Sequence, residues 1–480
     1  MANLTRTFQK IFARLASNNG QFGSLQTGAK VESNDPEVIQ ALPAYENGWD
    51  DAVLSGDELP SLEEMQGLQY KTDTQLAYLL NQGPPEWDPQ TEYFIGNQQR
   101  EIGGSKIYQS ITDNNIGNAL TDVANWKFLL DLDQSKVPTR KNAIINGDFN
   151  IWQRGTSFIG VATGDYGTDR FEYRKFATSA IHDITKSTDV PTLAQAGRLF
   201  NYSASIDVTT ADATVDANDV IVYRHKIEGY NWLPLAQKTC TISIWVKATK
   251  TGVYGVSCKN GGDDRSFVSE ITINSSLTWE KKIITIPPSP AAGTWNYENQ
   301  TGLTISFVLM AGSNFHTTAG SWQTGNFLST SNQVNACDTI GNTFKIVGVQ
   351  LEEGAVATPF ENRSVQEELI LCKRYYQKSY HFNIDPSTPT SPNQGNAICL
   401  SVENFSFAEA SLSVIMRTIG SLRYWDLAGN ATRFTLDGVH NSQPNFGAIV
   451  PTERNVSVDI STTENLVAKV EFHFTLDSEL

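Results

Sequence analysis

The chain has 480 residues, with 52 acidic and 36 basic side chains and a formal net charge of −16. That length exceeds one small core and predicts roughly two to four domains. Charged residues are 18% of the sequence and hydrophobic ones 40%, which argues against disorder and a coiled-coil rod, while the acid excess disfavours nucleic acid as a partner.

The charge is uneven. Between Glu32 and Glu101 there are 15 acids against two bases, Lys71 and Arg100. A charge this concentrated gives the N-terminal part a job of its own. Met1 is followed by neither a basic nor an apolar leader, so the expectation is a chain without a signal peptide. No apolar run is long enough to span a bilayer, which predicts no membrane insertion. Five cysteines, Cys240, Cys258, Cys337, Cys372 and Cys399, show no CxxC spacing. They read as reduced, mostly buried small residues of a protein folded in a reducing cytosol.

Leu4, Phe8, Ile11 and Leu15 recur at spacings of 4, 3 and 4, a short amphipathic helix that cannot stand alone in water. Ser61 and Glu64 make a capping-box pattern for a second helix over 61–82, which Gly83-Pro84-Pro85 stops. A compact segment follows from Trp87 to Trp126, with Tyr93 and Tyr108 between glycines. It predicts short strands and tight turns. Its rings are either a sugar-stacking platform or the core of a module with little else.

Residues 141–362 alternate cleanly. Cys240, Ile242, Ile244 and Val246 share one side, as do Leu303, Ile305, Phe307 and Leu309. Strict alternation also puts Lys345, Val347, Val349 and Leu351 on one side, opposite Phe344 and Ile346. Turns recur at Asn260-Gly261-Gly262, Pro287-Pro288 and Gly341-Asn342. The pattern is that of an antiparallel β-sandwich. Ser364 and Glu367 then cap a helix over 364–378, with a stripe of Val365, Leu369, Cys372 and Tyr376. Residues 379–480 read as a terminal β domain. Its last strand alternates Leu466, Ala468, Val470, Phe472, Phe474 and Leu476 with a polar face carrying His473. The domain boundaries expected are therefore 1–83, 84–135, 141–362, 363–378 and 379–480.

Catalytic signatures are few. The sequence holds no GK[ST], HExxH or GxSxG, and its six histidines lack metal-ligand spacing. Acid pairs such as Asp50-Asp51, Glu63-Glu64 and Glu352-Glu353 are neighbours on the chain. Neighbours on a strand point to opposite faces, so they do not converge on a glycosidic bond. Gly261-Gly262-Asp263-Asp264 suits either a calcium loop or a polar turn. Tyr424, Trp425 and Asp426, with His440 and Asn441 in a later loop, suit carbohydrate or protein recognition. The reading is of a non-enzyme that needs no cofactor or metal.

Several runs carry a resemblance. Leu59-Pro60-Ser61-Leu62-Glu63-Glu64-Met65 through Gly83-Pro84-Pro85-Glu86-Trp87 resembles the N-terminal part of tailed-bacteriophage tail-fibre and tail-tip proteins. The segment Trp87–Trp126 is similar to their small chitin-binding-like module, although Asn97-Gln98-Gln99 departs from the usual pattern. Ile144-Ile145-Asn146-Gly147-Asp148-Phe149-Asn150-Ile151-Trp152-Gln153-Arg154-Gly155, Thr168-Asp169-Arg170-Phe171, Val349-Gln350-Leu351-Glu352-Glu353-Gly354, Ala357-Thr358-Pro359-Phe360-Glu361 and Glu368–Tyr376 resemble a galactose-binding-like jelly roll of phage fibres. The resemblance spans about residues 1–380.

It implies a mainly β, multidomain, homotrimeric virion protein, assembled in the host cytoplasm and carried on the phage tail. Leu4, Phe8, Ile11, Leu15, Val365, Leu369, Cys372 and Tyr376 would serve attachment to other tail proteins and trimerisation. Trp87, Tyr93, Tyr108, Trp126, Tyr424, Trp425, Asp426, His440 and Asn441 are the candidates for binding host surface polysaccharide or lipopolysaccharide. The alternative is a purely structural adaptor or decoration protein that carries another receptor-binding protein.

Overall fold

The computed structural model describes residues 62–131, 141–391, 406–436, 449–460 and 469–480, with residue 38 and strand pieces at 21–24, 29–32, 397–399 and 439–441. The chain forms two compact units, Met1–Pro138 and Thr139–Leu480. The described residues are mainly β, and their paired strands run antiparallel.

In the first unit, β1 (Gln21–Ser24) pairs with β2 (Ala29–Glu32), and helix α1 runs over Leu62–Gln82. The Tyr78 hydroxyl accepts a hydrogen bond from the Glu86 backbone N–H at 3.0 Å, fixing the chain just after the helix stop. Strands β3 (Gln98–Arg100), β4 (Lys106–Ser110) and β5 (Trp126–Asp131) form one small sheet. This is the expected module of short strands and turns. The Leu4–Leu15 helix lies outside the described residues.

The second unit is built on two six-stranded sheets. The strands, in chain order, are β6 (Ser157–Phe158), β7 (Phe171–Phe176), β8 (Ile181–Ser187), β9 (Ser203–Thr210), β10 (Val220–Glu228), β11 (Cys240–Ala248), β12 (Gly252–Asn260), β13 (Arg265–Ile273), β14 (Glu280–Ile286), β15 (Thr301–Ala311), β16 (Trp322–Thr324) and β17 (Thr343–Glu353). One-turn helices α2 (Leu193–Ala196) and α3 (Gly229–Trp232) interrupt them. The first sheet has the order β16-β13-β12-β15-β10-β7 and the second β14-β11-β17-β9-β8-β6. Alternation sends Ile242, Ile244 and Val246 from β11 into one core with Tyr223, Leu303, Ile305, Phe307, Tyr254 and Val256 of the other sheet. Burying each such side chain contributes about 1.5–3 kcal/mol.

The alternation of β17 does not run unbroken. Phe344 and Ile346 pair with Ala248 and Val246, while Leu351 pairs with Ile242. Directly paired residues share a face, so both halves of β17 contribute to the core, yet they are five residues apart. A β-bulge opposite Ile244 absorbs the extra residue, with Gly348 at φ +66°. Lys345 and Val347 therefore lie on the opposite face of the sheet from Val349 and Leu351, with Val347 fully buried there beneath covering chain, which corrects the single-face expectation for these four.

The runs that carry the resemblance meet in one buried knot. Asn146 adopts φ +61° and donates through Nδ2 to the Ile151 carbonyl at 2.9 Å, Thr168 Oγ1 at 2.9 Å and the Asp169 carbonyl at 3.0 Å. Its backbone N–H donates to the Glu368 carboxylate. Gly147 has no room for a side chain, since a Cβ there would lie 2.1 Å from the Val349 carbonyl oxygen. The Asn142 N–H donates to Glu361 at 2.8 Å, and Arg363 donates to the Ile144 carbonyl at 3.1 Å. Residues far apart in sequence close the sandwich here.

Helix α4 covers Val365–Lys373, and Ser364 caps it in the expected box with Glu367. The spacing predicts a helix to residue 378, but β18 (Tyr376–Lys378) takes its end, because its backbone pairs with Asp477–Thr475. The remaining strands are β19 (Ala397–Cys399), β20 (Ser406–Ser411), β21 (Ser421–Trp425), β22 (Phe434–Leu436), β23 (Val439–Asn441), β24 (Ile449–Pro451), β25 (Asn455–Ile460), β26 (Lys469–Glu471) and β27 (His473–Asp477). They form three small sheets, β18-β27-β21, β19-β26-β22-β23 and β20-β25-β24. The described part of the long alternating run at the end of the sequence is thus split between β26 and β27, which belong to different sheets, while Leu466 and Ala468 lie outside the described residues.

His473 is the clearest correction. It is fully buried instead of facing solvent. Its ring nitrogens meet the Ser379 and Thr390 hydroxyls at 3.0 and 2.9 Å. The residues around β27 also tie it to the sandwich: Arg154 pairs with Asp169 at 2.8 Å, Asp477 at 3.0 Å and Glu479 at 3.2 Å. Four cysteines, Cys240, Cys258, Cys337 and Cys372, are buried and unpaired. The Cys399 side chain lies outside the described residues.

Candidate functional site

A cleft opens on the outer face of the second sheet, and three stretches of chain build it. Strand β11 turns Ser243 and Trp245 outward, because Ile242, Ile244 and Val246 occupy the core. Strand β14 sets Lys281 directly opposite Trp245. The bulge in β17 brings Gly348 between them and the covering loop. A Cβ at Gly348 would stand 2.9 Å from Phe200 Cζ and 3.3 Å from Trp245 Cδ1.

One wall follows α2. Thr192 and Gln195 cap that turn reciprocally, and Gly197 closes it at φ +69°. The chain then presents Arg198 and Phe200. The other wall is the segment after β17. The Thr358 N–H and hydroxyl donate to the Glu352 carboxylate at 2.8 and 2.5 Å, and the Glu361 N–H donates to Gln350 Oε1 at 2.8 Å. These bonds hold Pro359 and Phe360 over the sheet.

Phe200 and Phe360 meet edge to face with centroids 5.6 Å apart. The Arg198 guanidinium carbon lies 4.6 Å from the first ring centre and 4.7 Å from the second. Such contacts fix a guanidinium at a gain of about 0.5–2 kcal/mol. Burial lowers the Arg198 pKa, with Asp148 acting in the other direction. The cleft has a volume of about 130 Å³, and none of the residues lining it is acidic. That is smaller than the about 300–1,000 Å³ of drug-sized ligand sites, so it suits one ring docked against the surface.

A polar strip runs beside it. Asp189 accepts from Lys247 at 2.9 Å, Lys345 at 2.7 Å and the Trp279 indole N–H at 3.0 Å. Burial opposes its charge, but these three donors prevail and hold the carboxyl down at about 2. The strip is therefore an internally satisfied ion cluster.

The candidates from sequence fall elsewhere. Tyr93 and Trp126 are core residues of the small module, 3% and 2% exposed, and meet edge to face at 5.2 Å. The Tyr93 hydroxyl donates to the Asp88 carbonyl and the Trp126 indole to the Asn118 carbonyl. Trp87 and Tyr108 are half-buried, and Tyr108 packs on Phe128. The four rings do not form an open platform. Tyr424 stacks on Phe434, Trp425 meets Tyr380, and Asp426 is fully buried in a turn whose N–H groups at Ala428 and Asn430 it accepts. His440 and Asn441 lie on β23, and their side chains are outside the described residues.

Val365 is half exposed and Leu369 half-buried, while Cys372 and Tyr376 are buried within their own chain. The stripe is not one continuous surface open to copies. In the loop 260–264, Asp264 accepts from Asn260 and Thr294, and Asp263 pairs with Lys259 at 2.8 Å. These carboxylates are engaged by protein donors, as in an ordinary polar turn.

Sequence reasoning missed Arg198, Phe200, Trp245, Lys281 and Phe360. One signal was available: Trp245 sits between Ile244 and Val246, so the same alternation that buries them turns a tryptophan outward.

No family model matches the chain, and no curated protein does. Among solved structures it is similar to a CBM4 structure at 17% identity, covering 44% of this chain and 98% of that one, with a TM-score of 0.24. It is also similar to a family 11 carbohydrate-binding module of Clostridium thermocellum (12% identity, 42% and 98% covered, TM-score 0.24). A third likeness is to a putative sugar binding protein from Bacteroides thetaiotaomicron (11% identity, 45% and 100% covered, TM-score 0.25). At these TM-scores the likenesses carry no site or activity over to this chain.

Proposed function

We propose that the protein is a passive saccharide-binding component of a phage tail fibre or tail tip, homotrimeric in the virion, that attaches to host surface polysaccharide or lipopolysaccharide. The observation that carries the binding role is the cleft beside Trp245. Flat apolar rings stand next to hydrogen-bonding groups from Ser243, Arg198 and Lys281. A sugar ring offers apolar C–H faces and a rim of hydroxyls, so this combination matches it. No carboxylate lines the cleft, which suits binding without cleavage, since glycoside hydrolysis commonly uses two.

The phage assignment is supported by the ordered runs described above, several of which meet in the knot around Asn146. Three copies would raise the avidity of weak single sites by mass action alone. The acidic stretch Glu32–Glu101 would complement a basic tail surface.

The full chain, applied to an array of bacterial surface glycans, is expected to bind a subset of them, and Trp245→Ala to lose that binding while the sandwich still melts cooperatively. Binding by Trp245→Ala at the wild-type level would sink the assignment to this cleft. Release of reducing ends would revive an enzymatic reading. A protein on virions that binds no glycan would favour the structural adaptor.

A further inference from the structure

The cleft carries a charge that the chain as a whole does not. The protein has a net charge of −16, yet the charged side chains lining the cleft are Arg198 and Lys281. Arg198 is half-buried, and Lys281 is exposed and forms no ion pair among the described residues. Among the described residues Arg198 donates two long bonds, from Nε to the Leu199 carbonyl at 3.3 Å and from Nη2 to Asn362 at 3.4 Å. The acid that acts on it electrostatically is Asp148, whose carboxylate also accepts from the Asn150 side chain. Elsewhere on this sheet face the lysines are engaged: Lys247 and Lys345 share the one carboxylate of Asp189, which ties both ammonium groups into the protein and leaves the trio one positive charge in excess.

A guanidinium held against two rings is already ordered. It loses little further entropy on meeting an anion, and its planar fork matches carboxylate or phosphate oxygens. Trp245 supplies the face on which the sugar ring rests. We infer that the cleft selects an anionic sugar unit, bearing a carboxylate or phosphate, whose charged group Arg198 and Lys281 receive. The inference rests on the saccharide-binding reading above and narrows it to one ligand class. It also explains how an acidic protein would hold an acidic surface polymer: the contact is confined to a local basic pair.

The test uses the full chain on matched oligosaccharides that are neutral, carboxylated (hexuronate or sialic acid) and phosphorylated. Wild type is expected to prefer an anionic probe over its neutral match by about tenfold or more, the worth of one charge-assisted hydrogen bond. The preference should shrink as salt rises from about 50 to about 500 mM. The double variant Arg198→Met with Lys281→Met should abolish it. Lys281→Met alone, at an exposed side chain, should reduce the preference about two- to fivefold and keeps the test open if Arg198→Met fails to fold. The carboxylated and phosphorylated arms identify which anion is taken. Equal binding of neutral and anionic probes, lost together in Trp245→Ala, would overturn the anion inference and leave saccharide binding standing. If no probe binds, or Trp245→Ala binds as wild type does, the saccharide reading falls and the inference with it.

Discussion

The His473 imidazole lies flat on the Tyr380 ring, with centroids 3.8 Å apart and planes inclined by 14°. Its two nitrogens are taken by Ser379 and Thr390. Burial pushes the ring down to about 4 from the usual 6.5. His182, buried between Tyr173 and Cys337, is pushed down to about 4 by burial first and by Lys175 second, against Asp183.

These two rings set a pH dependence. In the unfolded chain both histidines protonate near pH 6.5, and in the folded chain only near pH 4. Between those values the unfolded state binds more protons, so stability falls as pH drops through the window and levels off below it. Chemical denaturation from pH 7 to pH 4 should show this loss. His473→Gln, which keeps hydrogen-bonding capacity, should flatten part of it; an unchanged slope would contradict the assignment.

Asp189 acts in the opposite chemical sense. Its carboxyl titrates at about 2 when folded and near 3.8 when unfolded. Its stabilisation is present above pH 3.8 and is lost as pH falls through about 2. Asp189→Asn should cost about 1 kcal/mol at neutral pH, modest because the group is partly exposed. Thermal unfolding measures it, and a variant as stable as wild type would show that Lys247 and Lys345 gain nothing from the pair.

Gly348 should not tolerate a side chain. Its φ of +66° is left-handed, and a Cβ would meet Phe200 at 2.9 Å. Gly348→Ala should lose about 1–2 kcal/mol for the backbone alone. It should also displace Phe200 and weaken binding at the cleft more than it lowers the melting temperature. Wild-type binding by this variant would separate the bulge from the site.

Trp126 distinguishes a core from a platform. Trp126→Ala should remove about 3–5 kcal/mol of packing, enough to unfold a three-stranded module. Hydrogen exchange should then rise across 93–128 while exchange in the sandwich strands stays low. A folded module with altered sugar binding would restore the platform role.

Much of the fold was legible because it is local. Period-two alternation marked β11 and β15, and Ser364 with Glu367 marked the start of α4, since a capping box needs only four residues. The end of α4 was not legible. Tyr376 leaves the helix to pair with Asp477, a hundred residues later. A helical stripe cannot register that competition.

The sequence by itself determined a mainly β chain, its recurrent turns and the capped start of α4. Only the tertiary structure decided which faces are covered. Alternation says that Trp245 and Ile244 point apart, not that Phe200 and Phe360 arrive from more than 40 and more than 110 residues away to wall a cleft over one of them. It also cannot place an extra residue at Gly348 or cover the polar face of β27 and bury His473. Those outcomes depend on long-range contacts, whose closure entropy and packing are shared by the whole sandwich and are written in no single segment.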